Sequence, residues 1–232
     1  MGSAIEKPRC NEQTRKQRYV GYLKPKHARD GFDLLIFHLR SWIWLFTRTA
    51  STFRWKVMGM QVGRNARIGR IRCNWPSQIA IGANCKIQDD VIFEYHTGLP
   101  EPNPNIVIGK HCFIGRGCDF NINTSFLIGD HSLISAGCRF VDHDHQIMPK
   151  ELIRIQPGID IPIKVGSDVW MGCGVIVLKG VSIGDHCVVG AGAVVTRSIP
   201  DGEIWAGVPA RRIGDRYSIR GNEVNLSASS RD

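Results

Sequence analysis

The chain lacks the long apolar run that a membrane-spanning helix needs. Its main apolar stretch, Leu34 to Phe46, is about thirteen residues and includes His38, Arg40 and Ser41, whereas a bilayer crossing takes about twenty. No secretory leader is expected either: the first thirty residues are polar and charged throughout, and no small-residue cleavage site follows the apolar stretch. Glu6 stands in "MGSAIE" where a myristoylation signal carries Ser or Thr. Together these absences set the expectation of a cytoplasmic chain. No zinc-finger spacing, RNA-binding signature or helix-turn-helix is present, so no nucleic-acid partner is expected. At 232 residues, with 43% hydrophobic and 22% charged content, the chain is ordinary for a globular protein.

Negative charge is scarce at one end. The first sixty residues hold twelve Lys/Arg against four Asp/Glu, which is +8 of the total +9. An anionic partner for this segment fits best as a membrane surface or a phosphorylated lipid.

From Ile81 onward a rhythm begins. Ile81, Ile87 and Phe93 are six apart, as are Ile108, Ile114 and Phe120, and Ile128, Ile134 and Phe140. Val165, Met171, Val177, Ile183, Val189 and Val195 keep the same step of six. A period of six fits neither a helix nor an isolated amphipathic strand. It fits the hexapeptide β-helix repeat, in which each unit supplies a short strand and a corner, and three units close a triangular coil. The large residue, and the small or β-branched one four later, point inward and stack between coils. Gly after the large residue is expected to permit the tight corner.

This rhythm sorts the cysteines and histidines. Cys85, Cys112, Cys118, Cys138 and Cys187 each fall four after a large residue, so they are expected as compact fillers of a reduced core, neither disulfide-bonded nor metal-bound. His111, His131 and His186 fall three after a large residue, at outward corners, and are expected as solvated surface.

The rhythm breaks in three places. A loop rich in Pro, Asn and Gly separates Phe93 from Ile108, a bulge is expected near Thr124, and twenty-five residues separate Phe140 from Val165. A long excursion from a regular scaffold is commonly functional. This one begins "FVDHDHQIMP" and holds His143 and His145.

The stretch "VGSDVWMGCGVIVLKGVSIGDHCVVGAGAVVTRSIPDGEIWAGVPARRI" strongly resembles the C-terminal half of the left-handed β-helix, hexapeptide-repeat acyltransferases. Within that family the branch with maltose, galactoside and streptogramin acetyltransferases and bacterial polysaccharide O-acetyltransferases is most similar. The resemblance covers about residues 62–214. It implies an all-β, left-handed parallel β-helix with an N-terminal helical segment. The domains expected are a basic, aromatic segment at 1–60, the acetyltransferase domain at 61–214 and a polar tail at 215–232.

The resemblance implies transfer of an acetyl group from acetyl-CoA, with no resident metal, to a glycan or sugar hydroxyl. A histidine acts as general base, because imidazole titrates near the working pH. The family's base position corresponds to His145, with His143 as second candidate, to bind the acceptor or orient its neighbour. For the donor, the resemblance carries over Trp170 at the groove, Cys173 and Ala191 beside the pantetheine arm, and Thr196, Arg197 and Arg211 at the adenine and 3′-phosphate end. Arg212 is a further basic neighbour. Gly214 stands where some relatives carry another Arg. A homotrimer with sites between subunits is implied. The acceptor expected is a bacterial surface polysaccharide or its lipid-linked precursor. The alternatives are N-acetylation of a nucleotide-linked amino sugar, and O-acetylation of a small sugar or antibiotic.

On a helix, Leu35, Leu39, Trp42, Leu45, Phe46 and Phe53 share one broad face, with Ser41, Thr47, Arg48, Ser51 and Arg54 mostly opposite. Two readings that do not exclude each other stand open: peripheral membrane contact through residues 32–56, and a helix that covers the prism's end or packs between subunits.

Overall fold

The computed structural model describes residues 49–96 and 101–218, together with Ile36, Leu39 and Trp42. It divides into two units, residues 1–46 and 47–232. In the first, Ile36, Leu39 and Trp42 are helical and exposed. The remainder of the N-terminal segment before Thr49, with most of the 32–56 membrane reading, lies outside the described residues, as does the tail beyond Ser218. Among the described residues no helix is long and apolar enough to cross a membrane.

In the second unit the step of six becomes strand and corner. Each coil lays one short strand on each of three faces, paired in parallel with the coils before and after. The first face stacks Gln61–Val62, Ile79–Ile81, Ile106–Ile108, Phe126–Ile128, Ile163–Val165 and Ser182–Ile183. The second stacks Arg67–Ile68, Lys86–Ile87, Phe113–Ile114, Leu133–Ile134, Trp170–Met171 and Val188–Val189, and ends in the antiparallel pair Glu203–Ala206 and Arg211–Asp215. The third stacks Arg72–Cys73, Ile92–Tyr95, Asp119–Ile122, Arg139–Val141, Ile176–Leu178 and Val194–Val195. This is a left-handed parallel β-helix.

Register makes like residues stack on like. Phe93, Phe120 and Phe140 occupy equivalent positions in successive coils, with ring centroids 4.9 Å apart at both steps. That is about the inter-strand spacing. The expected large residues are buried throughout, in one continuous core.

The five repeat cysteines are buried at the small inward position, as the rhythm implied. They also act as donors. The thiols of Cys85, Cys112, Cys118, Cys138 and Cys187 donate to the carbonyls of Gly109, Gly129, Ser135, Gly172 and Pro200, at 2.9–3.2 Å. Ser132 takes the same place in its coil and donates to Gly166 at 3.0 Å.

The corner glycines serve a different end from the one expected. A Cβ on Gly109 would lie 2.7 Å from the Gly129 carbonyl carbon, and one on Gly172 would lie 2.5 Å from the Ala191 nitrogen. Glycine after the large residue lets coils approach each other. The left-handed backbone conformation falls two residues later instead, on Asn84, His111, His131, Asp168 and His186 at φ between 54° and 64°. His111, His131 and His186 are exposed as expected, but they belong to a ladder. The His111 and His131 rings stack at 4.8 Å, and His186 Nδ1 lies 3.0 Å from Asp168 Oδ2.

Residues 49–57 are helical and dock on the first coil. Ser51 Oγ donates to the Gly69 carbonyl at 2.9 Å, and Thr52 Oγ1 accepts from Ile68 N at 3.2 Å. Gly59, at φ 97°, closes the helix: Gly59 N donates to Lys56 O, and Met60 N to Trp55 O. Trp55 and Met60 are buried in the prism core. For these residues the end-covering reading holds.

Candidate functional site

The chain leaves the third face after Val141. The strand His143–His145 pairs antiparallel with Gly158–Asp160, which makes the excursion an outward two-stranded arm. Asp142 roots it. Its carboxylate is fully buried and accepts from Asn123 N at 2.8 Å, Thr124 N at 2.8 Å and Thr124 Oγ1 at 2.6 Å. The bulge expected near Thr124 is thus the cradle for this carboxylate.

Asp142 Oδ1 also lies 3.2 Å from His143 Nδ1. With Nδ1–H donated to the carboxylate, the lone pair of His143 sits on Nε2. His143 is half-buried, and its ring meets the edge of His96 at 6.3 Å. His145 is exposed, one residue past Asp144, which pairs with Lys179. In the middle of the excursion, buried Gln156 accepts from Met148 N at 2.8 Å and donates to the carbonyls of Met148 and Glu151 at 3.0 and 2.9 Å.

Below His143 the third face is polar. Asp119, Asn121 and Asn123 alternate outward along one coil, and Asn121 lies between Glu94 and Val141 in the neighbouring coils. The Oδ1 atoms of all three are buried without a hydrogen-bond partner. Burial, then the negative charge of Glu94, pushes the Asp119 carboxyl above its usual range, against the opposing pull of Arg139 and Arg72. Above His143 the same face is apolar: Val141 stands next to Leu178, and Ile176 next to Val194.

The other residues singled out in the sequence fall on different sides of the prism. Trp170 is half-exposed on the second face, between Leu133 and Val188. Cys173 and Ala191 are exposed in adjacent coils on the corner between the second and third faces. Thr196 and Arg197 are exposed on the corner between the third and first faces, the corner from which the excursion departs. Arg211 and Arg212 lie on the terminal antiparallel strand. Arg212 is committed, with Nε 2.9 Å from Glu203 Oε1, and Arg211 donates to the Ala210 carbonyl at 2.9 Å. One prism therefore brings His143 and His145 together near Lys179 but leaves Trp170 on another side.

The hexapeptide repeat of bacterial transferases (six repeats) matches residues 162–197, and the hexapeptide repeat of succinyl-transferase matches residues 105–139. The chain thus carries two stretches similar to the hexapeptide repeats of transferases. It is 34% identical over 141 residues to a probable acetyltransferase of Mycobacterium tuberculosis, covering 60% of this chain and 45% of that protein. It is 50% identical over 52 residues to the galactoside O-acetyltransferase of Escherichia coli, covering 22% of this chain and 26% of that protein. The matches therefore span less than half the length of these curated relatives. Among solved structures, an N-acyltransferase from Bacillus cereus, in complex with dTDP and coenzyme A, superposes with a TM-score of 0.61 at 23% identity, covering 70% of this chain and 88% of that one. A maltose O-acetyltransferase from Clostridium difficile superposes at 0.52 with 21% identity, covering 88% and 86%. At these identities the likeness is one of fold.

Several residues of this hexapeptide-repeat site escaped the sequence reading. The sequence reading singled out none of Asn121, Asn123 and Lys179. Only the outward alternation after Phe120 could have flagged the first two.

Proposed function

We propose that the chain is an acetyl-CoA-dependent O-acetyltransferase that acts on a sugar hydroxyl of a bacterial surface polysaccharide or of its lipid-linked precursor. The observation that carries this reading is the half-buried His143 held on the buried Asp142 carboxylate. We assign the general base to His143 on that geometry, although the family spacing favours His145, which we keep as an acceptor contact. In this mechanism Nε2 of the base takes the hydroxyl proton as the oxygen attacks the thioester carbonyl. The C–S bond then breaks and the proton passes to the leaving thiolate. Asp142 fixes the tautomer and stabilises the imidazolium that forms.

The unpartnered oxygens of Asp119, Asn121 and Asn123 support a polyhydroxylated acceptor, whose O–H groups would donate to them. Trp170, Cys173 and Ala191 would line the pantetheine arm, with Thr196, Arg197 and Arg211 at the phosphate end. Arg212 is less suited, being held by Glu203. The spread of these residues over different sides of one prism supports a homotrimer in which one subunit's His143 faces a neighbour's groove.

The test is thiol release from acetyl-CoA with polysaccharide, free-sugar and nucleotide-linked amino-sugar acceptors. His143→Ala should lower turnover about a hundredfold to ten-thousandfold with coenzyme A binding retained, and His145→Ala should act far more weakly. If only His145→Ala is inactive, the base is His145. If only an amine acceptor is used, the N-acetylation reading replaces this one.

A further inference from the structure

Residues 34–88 contain nine Lys/Arg and no Asp or Glu, whereas residues 89–232 contain thirteen against seventeen. The fold turns this sequence asymmetry into a surface. Arg64, Arg67, Arg70 and Arg72 all belong to the first coil and all are exposed. Arg64 sits at the corner before the second face, Arg67 on that face, Arg70 at the next corner and Arg72 on the third face. They form a collar of cations along two faces and two corners of the prism's N-terminal end. Acidic side chains begin one coil further in, where Asp90 meets Arg70 at 3.3 Å.

The helix at residues 49–57 lies on this same end, fixed there by Trp55, Ser51 and Thr52. Its outer side and the turn after it present Phe53, Val57 and Met58, which are 68%, 71% and 51% exposed. Arg54 and Lys56 flank them and are exposed too, with the Arg54 guanidinium 4.6 Å over the Trp55 ring.

We propose that this end of the prism is a docking surface for an anionic lipid bilayer. Apolar side chains set inside a cationic collar match a lipid interface, where the tips enter the headgroup boundary and the arginines meet lipid phosphates. A duplex nucleic acid would use the collar but gain nothing from Phe53, Val57 and Met58. The strand Arg139–Val141, from which the arm with His143 departs, lies three coils from the collar, which is about 15 Å at the strand spacing. The docked prism would therefore hold its polar third face within reach of a glycan at the bilayer surface. The lipid contact itself does not depend on the acetyl-transfer reading.

The experiment is flotation of the full chain with phosphatidylglycerol–phosphatidylcholine vesicles and with pure phosphatidylcholine vesicles, alongside titration with a duplex DNA. Binding is expected only to vesicles that contain phosphatidylglycerol, and to weaken with salt. Arg64→Gln/Arg70→Gln should weaken it roughly thirtyfold, about fivefold per arginine. Phe53→Ser/Val57→Ser, at two exposed positions that the fold does not need, should weaken it as well, with melting temperatures unchanged. No binding to the anionic vesicles, or binding indifferent to both double variants, would overturn the proposal. So would loss of binding on Lys24→Gln/Lys26→Gln, in the basic segment before residue 34, with the collar intact. Tighter binding to DNA, insensitive to Phe53 and Val57, would assign the collar to nucleic acid instead.

Discussion

The coils from Ile163 to Val195 and the excursion from Val141 to Pro162 are both rich in aliphatic residues, yet they are ordered by different means. In the coils the aliphatics point inward and are buried, and stacking supplies the stability. In the excursion Ile147, Met148, Leu152, Ile153 and Ile155 are 53–77% exposed. Its order comes from the pairing of His143–His145 with Gly158–Asp160 and from two buried polar side chains, Asp142 at the root and Gln156 in the middle, each making three hydrogen bonds to backbone or hydroxyl groups. A scaffold held by apolar stacking tolerates no change of size at its inward positions. An arm held by polar anchors leaves its apolar tips free to meet something else.

The largest effect expected from breaking this contrast is in the core. Phe120→Ala removes the middle ring of the phenylalanine stack and should cost about 3–5 kcal/mol in denaturant unfolding. Ile155→Ala, on the arm, should stay within about 0.5 kcal/mol. Equal losses would mean that the arm is part of the core.

Gln156→Ala probes the anchor. Its backbone partners are near solvent and can turn to water, so the melting temperature should move little. Limited proteolysis between Ile147 and Pro157, however, should become markedly faster than in the native chain. An unchanged cleavage rate would mean that the aliphatics, not Gln156, order the arm.

The smallest effects are electrostatic and have opposite signs at the two places. Asp119, on the polar third face beside the arm, has its carboxyl raised by burial and Glu94. Its folded form holds the proton to higher pH than the unfolded chain does, so the folded state is penalised as pH rises through the folded value. Asp119→Asn should raise the melting temperature at neutral pH, with the gain vanishing well below 3.8. Asp168 lies in the corner ladder. Burial alone would raise its carboxyl, but hydrogen bonds from His186 and Arg216 outweigh burial and hold it below the usual range. Its contribution is present above 3.8 and is lost as pH falls through the folded value. Asp168→Asn should therefore lower the melting temperature at neutral pH, and the gap should close in acid. Melting curves across pH check both.

The same division explains what could be read beforehand. The step of six was legible because each inward position is filled by a residue whose size the stack dictates, and the excursion was legible as a break in that step. The partners of Asp142 were not, because Asn123 and Thr124 lie nineteen and eighteen residues earlier, one coil away. The same holds for Asp144 and Lys179, thirty-five apart. The corner histidines were read correctly as outward and exposed. Their left-handed backbone and mutual stacking were not foreseen, since Asn, Asp and Gly are the usual occupants of that conformation.

The repeat thiols carry a further consequence. Each sulfhydryl is buried and bonded to a backbone carbonyl of the following coil, so a labelling reagent reaches it only when two coils part. Cys85, Cys112, Cys118, Cys138 and Cys187 thus form a graduated set of reporters along the axis. The order in which they are alkylated reads out, position by position, from which end the solenoid unzips.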